Sequence, residues 1–216
     1  MYTLLITRLS PQVAPPHYPC GPAEACSNQI VSPNVGWANA VPDADASVNL
    51  IVNGTEISYQ GIGYHDKNWG DRPFFNVVDT WYWGHARFGP YSIVWFDVLH
   101  PNGTEYVSSY VSKNETIVAA SCSEGAISVR PAGYNSTYPP TIHTGLVEMY
   151  NITLDLGTEE GGPLAIIVHP ELTIGHSPFY TRYTVSVEAT VGGKQFTGAG
   201  ITEQFQYRGS RFLPEE

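Results

Sequence analysis

From Trp37 onward, apolar and polar residues alternate along the chain with a period of two. Segments 47–52 and 55–60 flank Asn53-Gly54, a dipeptide that favours the tight turn of a β-hairpin. Segments 81–87 and 91–99 form the next pair, turned at Phe88-Gly89-Pro90. A second Asn-Gly, at Asn102-Gly103, leads into 104–112, where Tyr106, Ser108 and Tyr110 alternate with Val107, Ser109 and Val111. Here the serines, with Ser112, read as the polar face of a strand. Further strands are predicted at 116–120, 126–129, 147–156 and 164–168. A last hairpin runs through 180–191, Gly192-Gly193 and 194–207. No segment carries helical apolar spacing between caps over a helix-length window. About ten short strands with regular turn signals imply an all-β, antiparallel sandwich or barrel, since closure removes exposed strand edges.

The stretch before Trp37 breaks this pattern. Pro11, Pro15, Pro16, Pro19, Pro22 and Pro33 oppose regular pairing over 9–36. Residues 1–36 are therefore expected to form an irregular, linker-like lead-in, and 37–210 the β domain. Composition agrees with many strands and tight turns: Gly (21), Pro (17) and Tyr (14) are plentiful, and only 14% of residues are charged. With 42% hydrophobic residues among 216, the chain can bury a substantial core.

A formal net charge of −10 repels phosphate backbones and anionic membrane surfaces, so nucleic acid is not expected as a partner. No run of about 20 apolar residues is present, so no membrane span is expected. Residues 1–8 carry too short an apolar run for a signal peptide. These features favour a soluble, intracellular and cytoplasmic protein. Five Asn-x-Ser/Thr sequons, at Asn53, Asn102, Asn114, Asn135 and Asn151, keep the secretory lumen open. Cys20, Cys26 and Cys122 lack zinc-site spacing. They read either as free thiols with Cys122 buried or as a Cys20–Cys26 bridge formed in an oxidising compartment.

Between Tyr59 and Trp83 the alternation gives way to chemistry. Tyr64, His65, Asp66, Lys67, Asn68 and Trp69 set hydrogen-bonding groups side by side between Gly63 and Gly70. Asp71, Arg72 and Pro73 follow, then Trp81-Tyr82-Trp83-Gly84-His85. A concave apolar pocket with a few convergent polar tips is the usual small-molecule site. Tyr64, Trp81, Trp83 and Trp95 can supply its walls; His65, Lys67, Asn68 and Tyr82 can supply donors. Each aromatic is equally at home in a β core. His65-Asp66 reads as an internal hydrogen-bonded pair or as an acid–base pair. Asp66, Lys67, Asp71 and Arg72 also read as an ion-pair cluster. The remaining histidines lie far apart, so no metal site is expected, and no phosphate-loop or nucleophile-elbow motif occurs. Glu203-Gln204-Phe205 has no local feature that marks it as catalytic.

Several of these segments together resemble a known family. They are Pro33-Asn34-Val35-Gly36-Trp37, Pro42-Asp43-Ala44-Asp45-Ala46, the run from Gly61 to Gly70, Trp81-Tyr82-Trp83-Gly84-His85-Ala86-Arg87 and Gly89-Pro90-Tyr91-Ser92. This set is similar to the carotenoid hydratase (hydroxyneurosporene synthase)-like superfamily, and within it to the fungal Diels–Alderases. The likeness runs from about Val31 to Tyr207, through Ser108-Ser109-Tyr110 and Glu203-Gln204-Phe205. It implies a lipocalin-like β-barrel of the kind that family uses twice, with substrate held at or between two domains. This chain resembles the C-terminal one, so an N-terminal domain or partner chain is expected to complete it.

The implied reaction is an intramolecular [4+2] cycloaddition of a linear polyene polyketide, or polyketide–nonribosomal peptide hybrid, to a decalin or isoindolone in fungal secondary metabolism. It needs no cofactor and no covalent nucleophile, because ordering a floppy chain into one reactive conformer supplies much of the catalysis. The resemblance casts Tyr64, Lys67 and Asn68 as donors to a substrate carbonyl, and His65, Trp81, Tyr82, Trp83 and Trp95 as substrate contacts. Two alternatives stand beside it. One is a hydratase or isomerase of an isoprenoid or polyene, with His65 and Asp66 as acid and base. The other is a non-catalytic lipocalin-like binding module.

Overall fold

The computed structural model describes residues 2–134 and 136–209, with side chains from residue 13 onward. Fifteen strands are present among them, in chain order: β1 (Tyr2–Ala14), β2 (His17–Tyr18), β3 (Gly21–Pro22), β4 (Ile30–Ser32), β5 (Val35–Val52), β6 (Thr55–Gly70), β7 (Thr80–Phe88), β8 (Tyr91–Leu99), β9 (Glu105–Lys113), β10 (Thr116–Ser121), β11 (Ser128–Ala132), β12 (Met149–Asp155), β13 (Pro163–Ser177), β14 (Tyr180–Val191) and β15 (Lys194–Gln206). The only helical turns among the described residues are 3-10 turns at Phe74–Asn76 and Thr158–Glu160. None is long and apolar enough to cross a membrane.

The chain is all-β, as the alternation predicts. Nine strands form one antiparallel sheet in the order β10-β9-β8-β7-β15-β14-β13-β12-β11. Two meanders, β7–β10 and β11–β15, are thus joined where β15 pairs with β7. The sheet curls into a half-barrel, and Arg130 on the last strand reaches Asp97 on β8 at 3.0 Å. Inside the curl every second residue of β12 and β14 is buried, as expected of strands with one face on a core. Tyr82, Trp95, Tyr150, Ile152, Leu164, Ile166 and Val187 fill this interior. The glycine at 84 belongs to that packing: it pairs with Trp95 across the ladder, and a Cβ there would sit in the indole ring.

The smaller sheet is built on β5, which pairs with β1 along one part, with β2 and β4 along another, and with β6 throughout. The β5–β6 hairpin turns at Asn53-Gly54, both with positive φ (51° and 83°), the backbone that this dipeptide tolerates best. This sheet covers the convex face of the large one over β7–β9. Trp37, Val31 and Val35 pack there against Trp83, Val94, Phe96, Val98 and Phe205. Covered from both sides, β8 is buried at all nine positions. Polar ties reinforce the contact: Arg87 donates from Nε and Nη2 to Asp43 at 2.8 and 2.6 Å, and the Ser92 hydroxyl donates to the same carboxylate.

The lead-in differs from expectation. Residues 9–36 include the end of β1 and all of β2, β3 and β4, and β5 begins two residues before Trp37. The prolines are accommodated at irregular places: the β1–β5 register shifts between Leu9 and Gln12, around Pro11, and Pro15 and Pro16 lie between strands. The lead-in lies across β9. There the Ser108 hydroxyl donates to the Pro19 carbonyl (2.6 Å) and Tyr110 Oη to the Pro15 carbonyl (2.7 Å). Ser108, Ser109 and Ser112 are consequently buried rather than a solvated strand face. A disulfide joins Cys20 to Cys122, and Cys26 is free and exposed. Neither the Cys20–Cys26 bridge nor a set of three free thiols is therefore found.

Candidate active site

Beyond the edge of the small sheet the convex face of β13–β15 is open, and a cavity of about 1000 Å³ lies between it and β6. Tyr64, Trp81, Trp83 and Phe96 give it an aromatic wall. Strand alternation builds that wall: Trp81 and Trp83 share the outward face of β7, and Tyr64 of β6 packs edge-on to Trp83 with ring centroids 5.0 Å apart. Beside Trp81 and Trp83 on the same sheet, Glu171, Tyr180, Arg182 and Glu203 line the cavity from β13, β14 and β15.

Of the residues singled out in the sequence, Tyr64, His65, Asn68, Trp81 and Trp83 line the cavity. Lys67, Tyr82 and Trp95 do not. Lys67 is exposed and falls between Asp66 and Asn68, both of which face the cavity, so the pleat turns it away. Tyr82 alternates with Trp81 and Trp83, and Trp95 with Phe96, so both point into the interior of the half-barrel.

The floor behind Tyr64 is a directed chain of hydrogen bonds. A backbone carbonyl can only accept, so the 3.0 Å contact from His17 Nδ1 to Tyr18 places the imidazole proton on Nδ1. Nε2 of His17 then accepts from Asn39 Nδ2 (3.1 Å), whose other hydrogen goes to Tyr64 Oη (3.0 Å). Tyr64 Oη donates in turn to Asp66 Oδ2 (2.9 Å), which also accepts from Trp37 Nε1 (2.8 Å). The Tyr64 proton is thus committed to Asp66. Burial, reinforced by the Asp66 charge, holds that phenol well above its ordinary pKa. Desolvation lowers the pKa of His17 to about 4, so it is a neutral, structural imidazole stacked on Tyr110. Asp66 takes its bonds from Trp37 and Tyr64, and no bond to His65 is present among the described residues. Nor do Asp66, Lys67, Asp71 and Arg72 pair with one another; Asp71 accepts from Asn34 Nδ2 at 3.0 Å.

Three residues on β14 and β15, Tyr180, Arg182 and Glu203, were not legible as a site. Glu203 is buried, and its Oε1 accepts from Tyr180 Oη (2.7 Å), from Arg182 Nε (2.8 Å) and from Arg182 Nη2. A signal for this pair exists in the sequence. Closing the last hairpin at Gly192-Gly193 sets Arg182 directly across from Glu203. His85, also in the wall, is buried, with its pKa lowered to about 4, mainly by desolvation. Its Nε2 and the Nε1 atoms of Trp81 and Trp83 make no hydrogen bond among the described residues. Buried polar atoms of this kind are uncommon in folded proteins and gain most from an incoming partner. In sum, three carboxylates (Asp66, Glu171, Glu203) face one guanidinium (Arg182) around an aromatic surface.

Comparison with known proteins gives this site its context. The family model described as Diels-Alderase-like matches residues 6–137. The chain belongs to that family. Two fungal relatives of this Diels-Alderase-like chain match over most of its length. They are the quinolone epoxide rearrangement proteins asqO of Emericella nidulans (35% identical over 199 residues, 90% of this chain and 53% of the relative) and penF of Penicillium thymicola (36% over 196 residues, 90% and 54%). The Diels-Alderase poxQ of Penicillium oxalicum is 27% identical over 103 residues, 46% of this chain and 23% of that protein. The chain spans about half the length of asqO and penF. Among solved structures, CghA with Sch210972 superposes with a TM-score of 0.66 at 16% identity, covering 94% of this chain and 61% of that one. A putative AttH from Nitrosomonas europaea gives 0.61 at 15% identity, covering 96% and 62%. Both establish the lipocalin-like fold.

Proposed function

We propose that this Diels-Alderase-like chain carries the substrate cavity of an isomerase or cyclase of fungal-type secondary metabolism, acting on a linear, unsaturated, largely apolar metabolite. The observation that carries this reading is the aromatic-walled cavity of about 1000 Å³, large enough for a folded polyene chain. An intramolecular [4+2] cycloaddition changes no oxidation state and leaves no group behind. The protein's contribution is then to select one folded conformer, for which Trp81, Trp83, Tyr64 and Phe96 are suited. Tyr64 is held too firmly by Asp66 to serve as a free donor, so its role is to shape the wall. Of the three residues cast as donors, Asn68 is left as the one in the cavity with its amide available.

A second reading, epoxide rearrangement as named for asqO and penF, has its own support. An alignment over 90% of the chain runs beyond the 6–137 span of the family match and takes in β13 and β14. β13 brings Glu171 to the cavity, which Glu203 of β15 also lines. Opening an epoxide builds positive charge on carbon, and carboxylates and aromatic faces both stabilise such charge.

Purified protein incubated separately with a linear polyene tetramic acid and with a quinolone epoxide, followed by chromatography, separates these readings. Turnover of either above the buffer control, lost in Trp83→Ala, supports the cavity as an active site. Product rates and isomer ratios equal to buffer for both substrates refute it and leave a binding role. That role would then be read from saturable quenching of tryptophan fluorescence, with unaltered ligand recovered.

A further inference from the structure

Four of the five sequons can be placed, all outside the cavity, while Asn135 lies outside the described residues. Asn53, Asn102, Asn114 and Asn151 are all exposed, as are Thr55, Thr104, Thr116 and Thr153 two residues on. Asn53 and Asn114 sit in hairpin turns with φ of 51° and 47°, Asn102 in the turn before β9, and Asn151 on an outward position of β12. N-linked glycosylation replaces one hydrogen of the side-chain amide with a bulky sugar, so the folded protein must leave that nitrogen at the surface. Asn102 accepts at Oδ1 from the Thr104 backbone (2.9 Å), which leaves Nδ2 free. The side chains of Asn53, Asn114 and Asn151 make no hydrogen bond among the described residues.

Turn geometry explains an asparagine at three of these positions, but not a threonine two residues later. None of the four threonine hydroxyls makes a hydrogen bond among the described residues. The second, independent feature is the Cys20–Cys122 disulfide, which joins residues 102 apart. Such bonds persist in oxidising compartments and are reduced in the cytosol.

We infer that this protein matures in an oxidising secretory compartment and carries N-linked glycans at one or more of Asn53, Asn102, Asn114 and Asn151. None of these residues lines the cavity, so glycans on them leave the site open. The location is opposite to the cytoplasmic one favoured by composition and by residues 1–8.

The test uses protein isolated from its natural host, from culture medium and from cells separately. Peptide-N-glycosidase treatment in heavy-oxygen water converts each glycosylated asparagine to a labelled aspartate, read by peptide mass mapping. A parallel non-reducing digest looks for the Cys20–Cys122 peptide pair. Labelled aspartate at any of the four positions, with the crosslinked pair present, is the expected result. Thr104→Ala and Thr116→Ala should each remove the label at their own sequon alone, since neither threonine side chain bonds the turn asparagine and the Thr104 backbone bond to Asn102 is kept. Unmodified asparagine at all four positions in both fractions overturns the inference, as does label without the disulfide.

Discussion

The carboxylate of Asp43 ties the small sheet to the large one through Arg87 and Ser92, and removing its charge tests that tie. Its side chain is fully buried on β5, where it receives two bonds from Arg87 of β7 and one from Ser92 of β8, with His85 Nε2 3.7 Å away. In Asp43→Asn the shape is kept, but the guanidinium loses its charged partner. Breaking a buried ion pair by removing one member costs about 3–5 kcal/mol. Arg87 is 23% exposed and keeps its 2.7 Å bond to Asp45, so the lower end applies, about 3 kcal/mol. For a chain of this size that corresponds to a fall in Tm of roughly 6–12 °C. Urea unfolding followed by tryptophan fluorescence and by far-ultraviolet circular dichroism measures the loss and tests whether unfolding is two-state. The mechanism makes a sharper demand. Adding Arg87→Met to Asp43→Asn should cost less than the sum of the single changes, by about 1–3 kcal/mol, because no uncompensated charge remains. A loss below about 0.5 kcal/mol in Asp43→Asn, or strict additivity in the double mutant, would refute the reasoning.

Other consequences are open to measurement. Gly84→Ala puts a methyl into the Trp95 ring inside a fully packed sheet, so stability should fall by about 1–3 kcal/mol, read by the same denaturation curves. Unchanged stability would show that Trp95 moves freely. Reducing the Cys20–Cys122 bond releases a loop closed over 102 residues, and chain entropy sets the loss at up to about 4.7 kcal/mol. A midpoint unaffected by dithiothreitol would contradict this. His17 and His85 are held neutral with pKa values lowered from 6.5 to about 4. The unfolded chain therefore binds more protons than the folded one between those values. Their contribution is complete above pH 6.5, declines as the pH falls and levels off below about 4. Urea midpoints of wild type and His17→Gln across this range should diverge in slope; parallel profiles would sink the assignment.

Much of the large sheet was legible because its information is local. Asn53-Gly54 and Gly192-Gly193 announce their hairpins, and period-two alternation gives β7, β8, β9, β12 and β14 to within a few residues. The reading of β13 stops near Val168, whereas the strand continues to Ser177, because register shifts at Pro170–Leu172 and Thr173–Gly175 interrupt the alternation. The lead-in was misread for a related reason: prolines mark where pairing is broken, and cannot show that pairing resumes between them. The site divides the same way. Residues 64–68 and 81–83 stood out by composition, but Tyr82 was grouped with Trp81 and Trp83, whereas strand alternation sends it to the other face. Glu203 beside Trp83 depends on β15 pairing with β7 across more than a hundred residues, and no local pattern encodes that contact. Cys20 meeting Cys122 is the same kind of fact.

The half-barrel is filled, and its cavity lies on the outside of the curl. In a barrel that binds ligand within, each change of specificity alters the residues that hold the barrel together. Here the two tasks fall on alternate positions of the same strands. On β14, Arg182, Thr184 and Ser186 meet the cavity, while Tyr183, Val185 and Val187 are buried. Val185 reaches both, and marks where the separation is incomplete. Outward residues on β13–β15 can thus be exchanged with less risk to folding than their buried neighbours, and the architecture itself is shared with a solved structure at 15% identity.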